Sequence, residues 1–160
     1  MENIITLQQT EELGAQLRRQ KKSIVLVGGC FDILHFGHIT LLEKAKEQGD
    51  ILVVLLESDT RIQEFKGADR PLHIQSQRAH MLTALKSVDY VILLPHTMSN
   101  HDYDQVVKLL QPAIIATTKG SDSLLYIEKQ AKAYNAEIFL VQPIKNISTS
   151  RLVAVIAKEV

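Results

Sequence analysis

Hydrophobic and polar positions follow two periods along this chain. Continuous apolar runs stand at Ile24 to Val27, Ile51 to Leu56, Tyr90 to Leu94, Ala113 to Ala116 and Ile138 to Val141. Short unbroken runs of this kind suit strands buried on both faces, as in the interior of a parallel sheet. Between them apolar residues recur at helical spacing. Leu41, Leu42 and Ala45 do so within Ile39 to Glu47, and Leu152, Val153 and Ile156 within Thr149 to Lys158, where Ser148 is a suitable N-cap. Alternating βαβ units predict an α/β fold: a Rossmann-like, doubly wound parallel sheet of about five strands with helices on both faces. Ahead of the first strand, Thr6 to Gln20 carries Leu7, Leu13 and Leu17 among polar residues and reads as a helix appended at the domain edge. Residues 1–22 are then an amino-terminal helical extension of a single domain spanning 1–160. Repeats, low-complexity tracts and linkers do not appear.

Composition narrows the range of function. A chain of 160 residues that is 46% hydrophobic can bury one real core. Eighteen basic and eighteen acidic residues cancel, so no overall field favours nucleic acid or an anionic membrane. Anion affinity must come from locally arranged groups, and the partner expected is a small molecule. Cys30 is the sole cysteine, which rules out an internal disulfide. No stretch has the length of a membrane span or the pattern of a secretion signal, so a cytoplasmic location is expected.

Doubly wound sheets bind ligands beyond the carboxyl ends of their strands. At the first such end stands Gly28-Gly29-Cys30-Phe31-Asp32-Ile33-Leu34-His35-Phe36-Gly37-His38. His35 and His38, three apart, share one face of a helix start. Free backbone N–H groups and the positive end of the helix dipole attract anions there, and Gly37 lets phosphate oxygens approach the main chain. This arrangement suits the grip on a nucleoside triphosphate. Cys30 reads as a small filler, because the expected chemistry needs no covalent thiol. Asn100-His101-Asp102-Tyr103-Asp104 with His96 nearby matches no compact zinc spacing, and Ser99 or Asp102 reads as a cap of the helix running to Leu110. No protein metal site is assigned. His73 and His80 read as surface or supporting residues.

The turn Gly-Cys-Phe-Asp followed by His35-Phe36-Gly37-His38 resembles the signature of the nucleotidyltransferase superfamily of cytidylyl- and adenylyltransferases. Ile147-Ser148-Thr149-Ser150 resembles that superfamily's Ile-Ser-Thr-Ser/Thr element, whose hydroxyls and free N–H groups hold the β- and γ-phosphates. Lys66-Gly67-Ala68-Asp69-Arg70-Pro71, in an irregular segment, followed by Gln77-Arg78 in a helix from about Gln75 to Leu85, resembles the adenylyltransferase domain of ADP-heptose synthases. The glycerol-phosphate cytidylyltransferases and archaeal FAD synthases are more loosely similar.

The resemblance implies His35, His38 and Lys66 as catalytic residues. On the nucleotide side it implies Gly28, Gly29, Cys30, Phe31, Gly37, Ile147, Ser148, Thr149 and Ser150, with Lys119, Gly120 and Asp122 near the nucleobase and ribose. Asp32, Asp59 and Arg78 are its candidate acceptor contacts; a capping role for Asp59 stays open. It also implies Mg2+ as cofactor and a homodimer. The reaction implied is transfer of a nucleoside monophosphate to a phosphorylated acceptor with release of pyrophosphate. An attacking phosphate, with a second pKa near ~6, needs no general base. Cytidylyltransferases of the glycerol-phosphate type carry Arg-Thr-Glu-Gly where this chain has Pro143-Ile144-Lys145-Asn146, so ATP is favoured over CTP. A sugar 1-phosphate is the first acceptor expected. Within the superfamily the alternatives are CTP-dependent transfer to glycerol phosphate and AMP transfer to FMN. Outside enzymes the alternative is a nucleotide-binding sensor without turnover.

Overall fold

The computed structural model describes residues 3–145 and 148–158. Its strands are β1 (Ile4–Thr6), β2 (Ile24–Gly29), β3 (Ile51–Leu56), β4 (Tyr90–Leu93), β5 (Ile114–Thr118) and β6 (Glu137–Val141). They form one parallel sheet in the order β1-β4-β3-β2-β5-β6. The helices are α1 (Thr10–Arg19), α2 (Phe36–Lys46), α3 (Asp59–Lys66), α4 (Gln75–Thr83), α5 (Asn100–Leu110), α6 (Leu124–Tyr134) and α7 (Thr149–Ile156).

Strand side chains alternate between two cores, as a period of two requires. Val25, Val27, Leu52, Val54 and Leu56 face Leu41, Leu42 and Ala45 of α2 and Ala79 and Leu82 of α4. Ile24, Leu26, Val53 and Leu55 face Leu13 and Leu17 of α1, Val106, Val107 and Leu110 of α5 and Ala131 of α6. Burial on both faces explains why the strand sequences are continuously apolar rather than alternating. The strand order reverses at β2, which has β3 on one side and β5 on the other. A crevice therefore opens beyond the carboxyl ends of β2 and β5.

The amino-terminal segment differs from the appended helix expected of it. Ile4 to Thr6 is a sixth strand, paired with Val91 to Leu93 at the edge of the sheet. Thr6 then caps a 3-10 turn, Leu7–Gln9, in which the Gln9 side-chain oxygen accepts the Thr6 N–H at 2.9 Å. The helix proper starts only at Thr10. It is built into the second core, and a side chain at Gly14 would collide with the Leu109 carbonyl, so the glycine permits close contact with α5.

Candidate active site

The turn after β2 carries Phe31 in a left-handed conformation (φ 46°), which swings its ring into the first core. That ring lies 5.1 Å from the His38 ring. His35, extended at φ −142°, is the N-cap of α2, and its Nδ1 accepts the His38 N–H at 3.4 Å. With Nδ1 an acceptor, the ring proton belongs on Nε2. The two imidazoles stack at 3.8 Å between centroids, 17° from parallel. Desolvation, then the charges of His35 and Lys66, lowers His38 to about 4. His35 is lowered by desolvation and then by Lys66. At neutral pH both rings are therefore uncharged in the free protein and offer N–H donors rather than cations.

These histidines line a cavity of about 270 Å³ with Gly37, Lys66, Ser148, Thr149 and Ser150. Thr118 from β5, Val141 from β6 and Gln142, Pro143 and Ile144 complete it. Motifs more than a hundred residues apart in sequence thus converge on one hollow at the sheet's carboxyl rim. Ser148 caps α7, its Oγ accepting the Arg151 N–H at 3.2 Å, and Thr149 is buried while Ser150 is exposed. Ile147 lies outside the described residues. Lys66 does not belong to an irregular loop. It ends α3, and Gly67, at φ 97°, turns the chain away directly after it.

The neighbouring residue, Phe65, faces a second cavity of about 360 Å³, on the α5 and α6 side of β2. Gly28, Gly29 and Cys30 open onto this cavity and not onto the first. Leu26, Leu55, Ile115 and Ile127 give it apolar walls, and Glu57, Arg61, Tyr103, Tyr126 and Gln130 supply its polar groups. Burial pushes the Glu57 carboxyl up, against the opposing Tyr103 hydrogen bond and the charges of Arg61 and Arg78. Burial likewise pushes the Cys30 thiol up, which disfavours its thiolate form.

Seven expected contacts line neither cavity. Phe31 is buried at 3% exposure and packs beside the His38 ring. Asp32 is fully buried. Burial alone would raise its carboxyl, but hydrogen bonds from Arg70 and from the Leu72 and His73 amides outweigh that and hold it below the usual range. Arg78 is also fully buried, donating to the carbonyls of Cys30, Glu57 and His73 and to Asp59 Oδ1 at 2.7 Å. A guanidinium has five donors in a fixed fork, and here they tie together the loops after β2 and β3 and the approach to α4. Asp59 serves as that arginine's counter-ion, and the cap of α3 is Ser58. Lys119, Gly120 and Asp122 form the turn after β5 and line neither cavity.

The cluster from Asn100 to Asp104 is spent on structure. Asp102 closes a capping box with Ser99, and Asp104 takes hydrogen bonds from Tyr126 and Gln130. Among the described residues no group of three histidine, cysteine or acidic side chains converges on a metal position. No helix among them is long and apolar enough to cross a membrane.

Sequence reasoning missed the second cavity. Glu57 carried a usable signal, since it continues the period of Val53 and Leu55 toward α5. Tyr103, Tyr126 and Gln130 gave none, because they meet only through helix packing.

A family model described as cytidylyltransferase-like matches residues 26–155. The chain belongs to that family and is a nucleotidyltransferase. Curated relatives include the Bifunctional protein HldE of Aliarcobacter butzleri, 38% identical over 120 residues, which are 75% of this chain and 24% of that protein. Another, of Desulfatibacillum aliphaticivorans, is 33% identical over 92% of this chain and 29% of that protein. The chain thus spans less than a third of the length of these relatives. Among solved structures, a lipopolysaccharide core biosynthesis protein from Thermoplasma volcanium superposes with a TM-score of 0.61 at 27% identity, over 78% of this chain and 98% of that one. A pantoate-beta-alanine ligase from Francisella tularensis, solved with an ATP analogue and beta-alanine, shares the fold with a TM-score of 0.65 at 16% identity over 99% of this chain and 78% of that one.

Proposed function

We propose that this protein transfers AMP from ATP to a sugar 1-phosphate and releases pyrophosphate. The observation that carries this reading is the first cavity, where two stacked histidines, Lys66 and the start of α7 surround one hollow. The triphosphate lies there, its outer phosphates on the hydroxyls and N–H groups of Ser148 to Ser150 and its α-phosphate beside His35 and His38. The acceptor occupies the second cavity, and Phe65 and Lys66 at the end of α3 stand between the two. The kinship with HldE proteins supports a phosphorylated sugar as acceptor.

The acceptor phosphate, already ionised, attacks the α-phosphorus in line with the departing pyrophosphate. Catalysis is then alignment plus stabilisation of the charge that develops. His35 and His38 donate N–H hydrogen bonds to the phosphoryl and bridging oxygens, and Lys66 supplies the positive charge. Among the described residues no cluster of carboxylates or histidines stands ready to hold a metal ion, so Mg2+ would enter with the triphosphate. It would offset charge on the leaving group.

Incubating the protein with ATP or CTP, Mg2+ and a panel of phosphorylated acceptors, while following pyrophosphate, tests the reading. Release is expected with ATP and an aldose 1-phosphate. Nucleotide binding without release for every acceptor would sink it.

A further inference from the structure

Glu57 stands at the end of β3 with an unusual deficit. Both its carboxylate oxygens lie 2.9 Å from the Tyr103 hydroxyl, which has one proton to give and serves one oxygen at a time. That is its only side-chain hydrogen bond among the described residues. A carboxylate offers about four lone-pair positions, so most of its accepting capacity is unmet. The group is half-buried and lines a cavity with aliphatic and aromatic walls. Of the two cations whose charge reaches it, Arg61 is engaged at 3.0 Å with Glu64 and lies over the Phe65 ring at 4.3 Å, and Arg78 is spent on main-chain carbonyls and Asp59. A half-buried carboxylate that faces a cavity with lone pairs to spare is placed to accept hydrogen bonds from a ligand's hydroxyl groups.

We propose that Glu57 selects the acceptor by taking hydrogen bonds from the hydroxyl groups of a polyhydroxylated phosphate ester lodged in the second cavity. This rests on the transfer reaction proposed above. A polyol or sugar ring supplies hydroxyl donors to the carboxylate and C–H faces to Leu26, Ile115 and Ile127. An alkyl phosphate leaves Glu57 bare, and a ligand carrying a carboxylate at that point is repelled. The cavity's volume lies within the range of small-molecule sites.

The test compares wild type, Glu57→Gln and Glu57→Ala in the pyrophosphate assay. The probes are mannose 1-phosphate and glucose 1-phosphate, their singly deoxygenated analogues, and n-butyl phosphate as the hydroxyl-free control. With the aldose 1-phosphate that wild type uses best, Glu57→Ala is expected to raise the acceptor KM about 10- to 100-fold, with kcat and the ATP KM within about twofold. Glu57→Gln, which still accepts through its amide oxygen, falls between. One deoxy analogue loses a similar factor on wild type and nothing further on Glu57→Ala, a coupling that a purely structural role would not produce. The proposal is overturned if Glu57→Ala keeps the wild-type acceptor KM, or if kcat and both KM values worsen together. Turnover of n-butyl phosphate in preference to the sugars would overturn it too, while leaving nucleotidyl transfer intact. Absence of pyrophosphate with every acceptor would remove both.

Discussion

At the residue scale the proposed chemistry rests on two imidazoles that are neutral in the free protein. A donor aimed at developing charge is worth about 100- to 1,000-fold in turnover. His38→Ala is expected to lose that much kcat while keeping its circular dichroism spectrum, and a folded variant at near-parental rate would refute the role. The same burial predicts a pH effect on folding. His38 sits near 6.5 when unfolded and at about 4 when folded, so in that window the unfolded chain holds the extra proton. Stability therefore rises with pH there and is lost as pH falls from about 6.5 toward 4, by roughly 2–3 kcal/mol. His35 acts in the same sense and Glu57, whose carboxyl is raised, in the opposite one. Urea midpoints measured from pH 7 to 4.5 should fall in wild type and fall less in His38→Asn. An unchanged slope in the variant would contradict the burial of this ring. The placement of the histidine pair was legible in the sequence because it is local, a fixed spacing at a helix start. Arg78 and Asp32 were not, since a charge in sequence looks the same whether it meets solvent or four buried acceptors.

At the element scale, local signals set the strands and helices well and misplaced their ends. The apolar runs identified β2 to β6, for they owe little to distant partners. β1 escaped because a three-residue strand has no period of its own and exists only through its ladder to β4. Lys66 fell outside its helix because Gly67 and Pro71 suggested a loop, whereas the helix uses Gly67 to stop one residue later. The β2–α2 turn joins element geometry to chemistry. A side chain at Gly29 would place its Cβ 2.8 Å from the Phe31 ring, and that ring backs His38. Gly29→Ala should thus move Phe31 and loosen the histidine pair, lowering kcat about tenfold or more for a misplacement near 1 Å. The fold should survive with a modest loss of stability, about 1–3 kcal/mol. Kinetics with thermal melts check both, and full activity in Gly29→Ala would show that the ring's position is immaterial.

On the scale of the whole molecule, the two sides of the first cavity differ in how deeply they are packed. His35 and His38 are anchored by α2, which buries Leu41, Leu42 and Ala45 in the first core. α7 buries only Thr149 and leaves Val155 and Ile156 more than half or about half exposed. Few buried apolar contacts mean a low local opening free energy. Under the proposed function ATP bridges the two sides and orders α7 against α2, and binding to the folded state alone stabilises it by mass action. At about a hundred times Kd the gain is about 2.7 kcal/mol, a midpoint shift of roughly 5–10 °C for a chain of this size. Hydrogen exchange resolves where that gain falls. With Mg2+ and a non-hydrolysable ATP analogue, peptides covering Thr149 to Ile156 are expected to slow most, and those from β2 and β3, already slow, hardly at all. Protection confined to α2, with α7 exchanging as before, would show that the carboxyl-terminal helix takes no part in holding the phosphates.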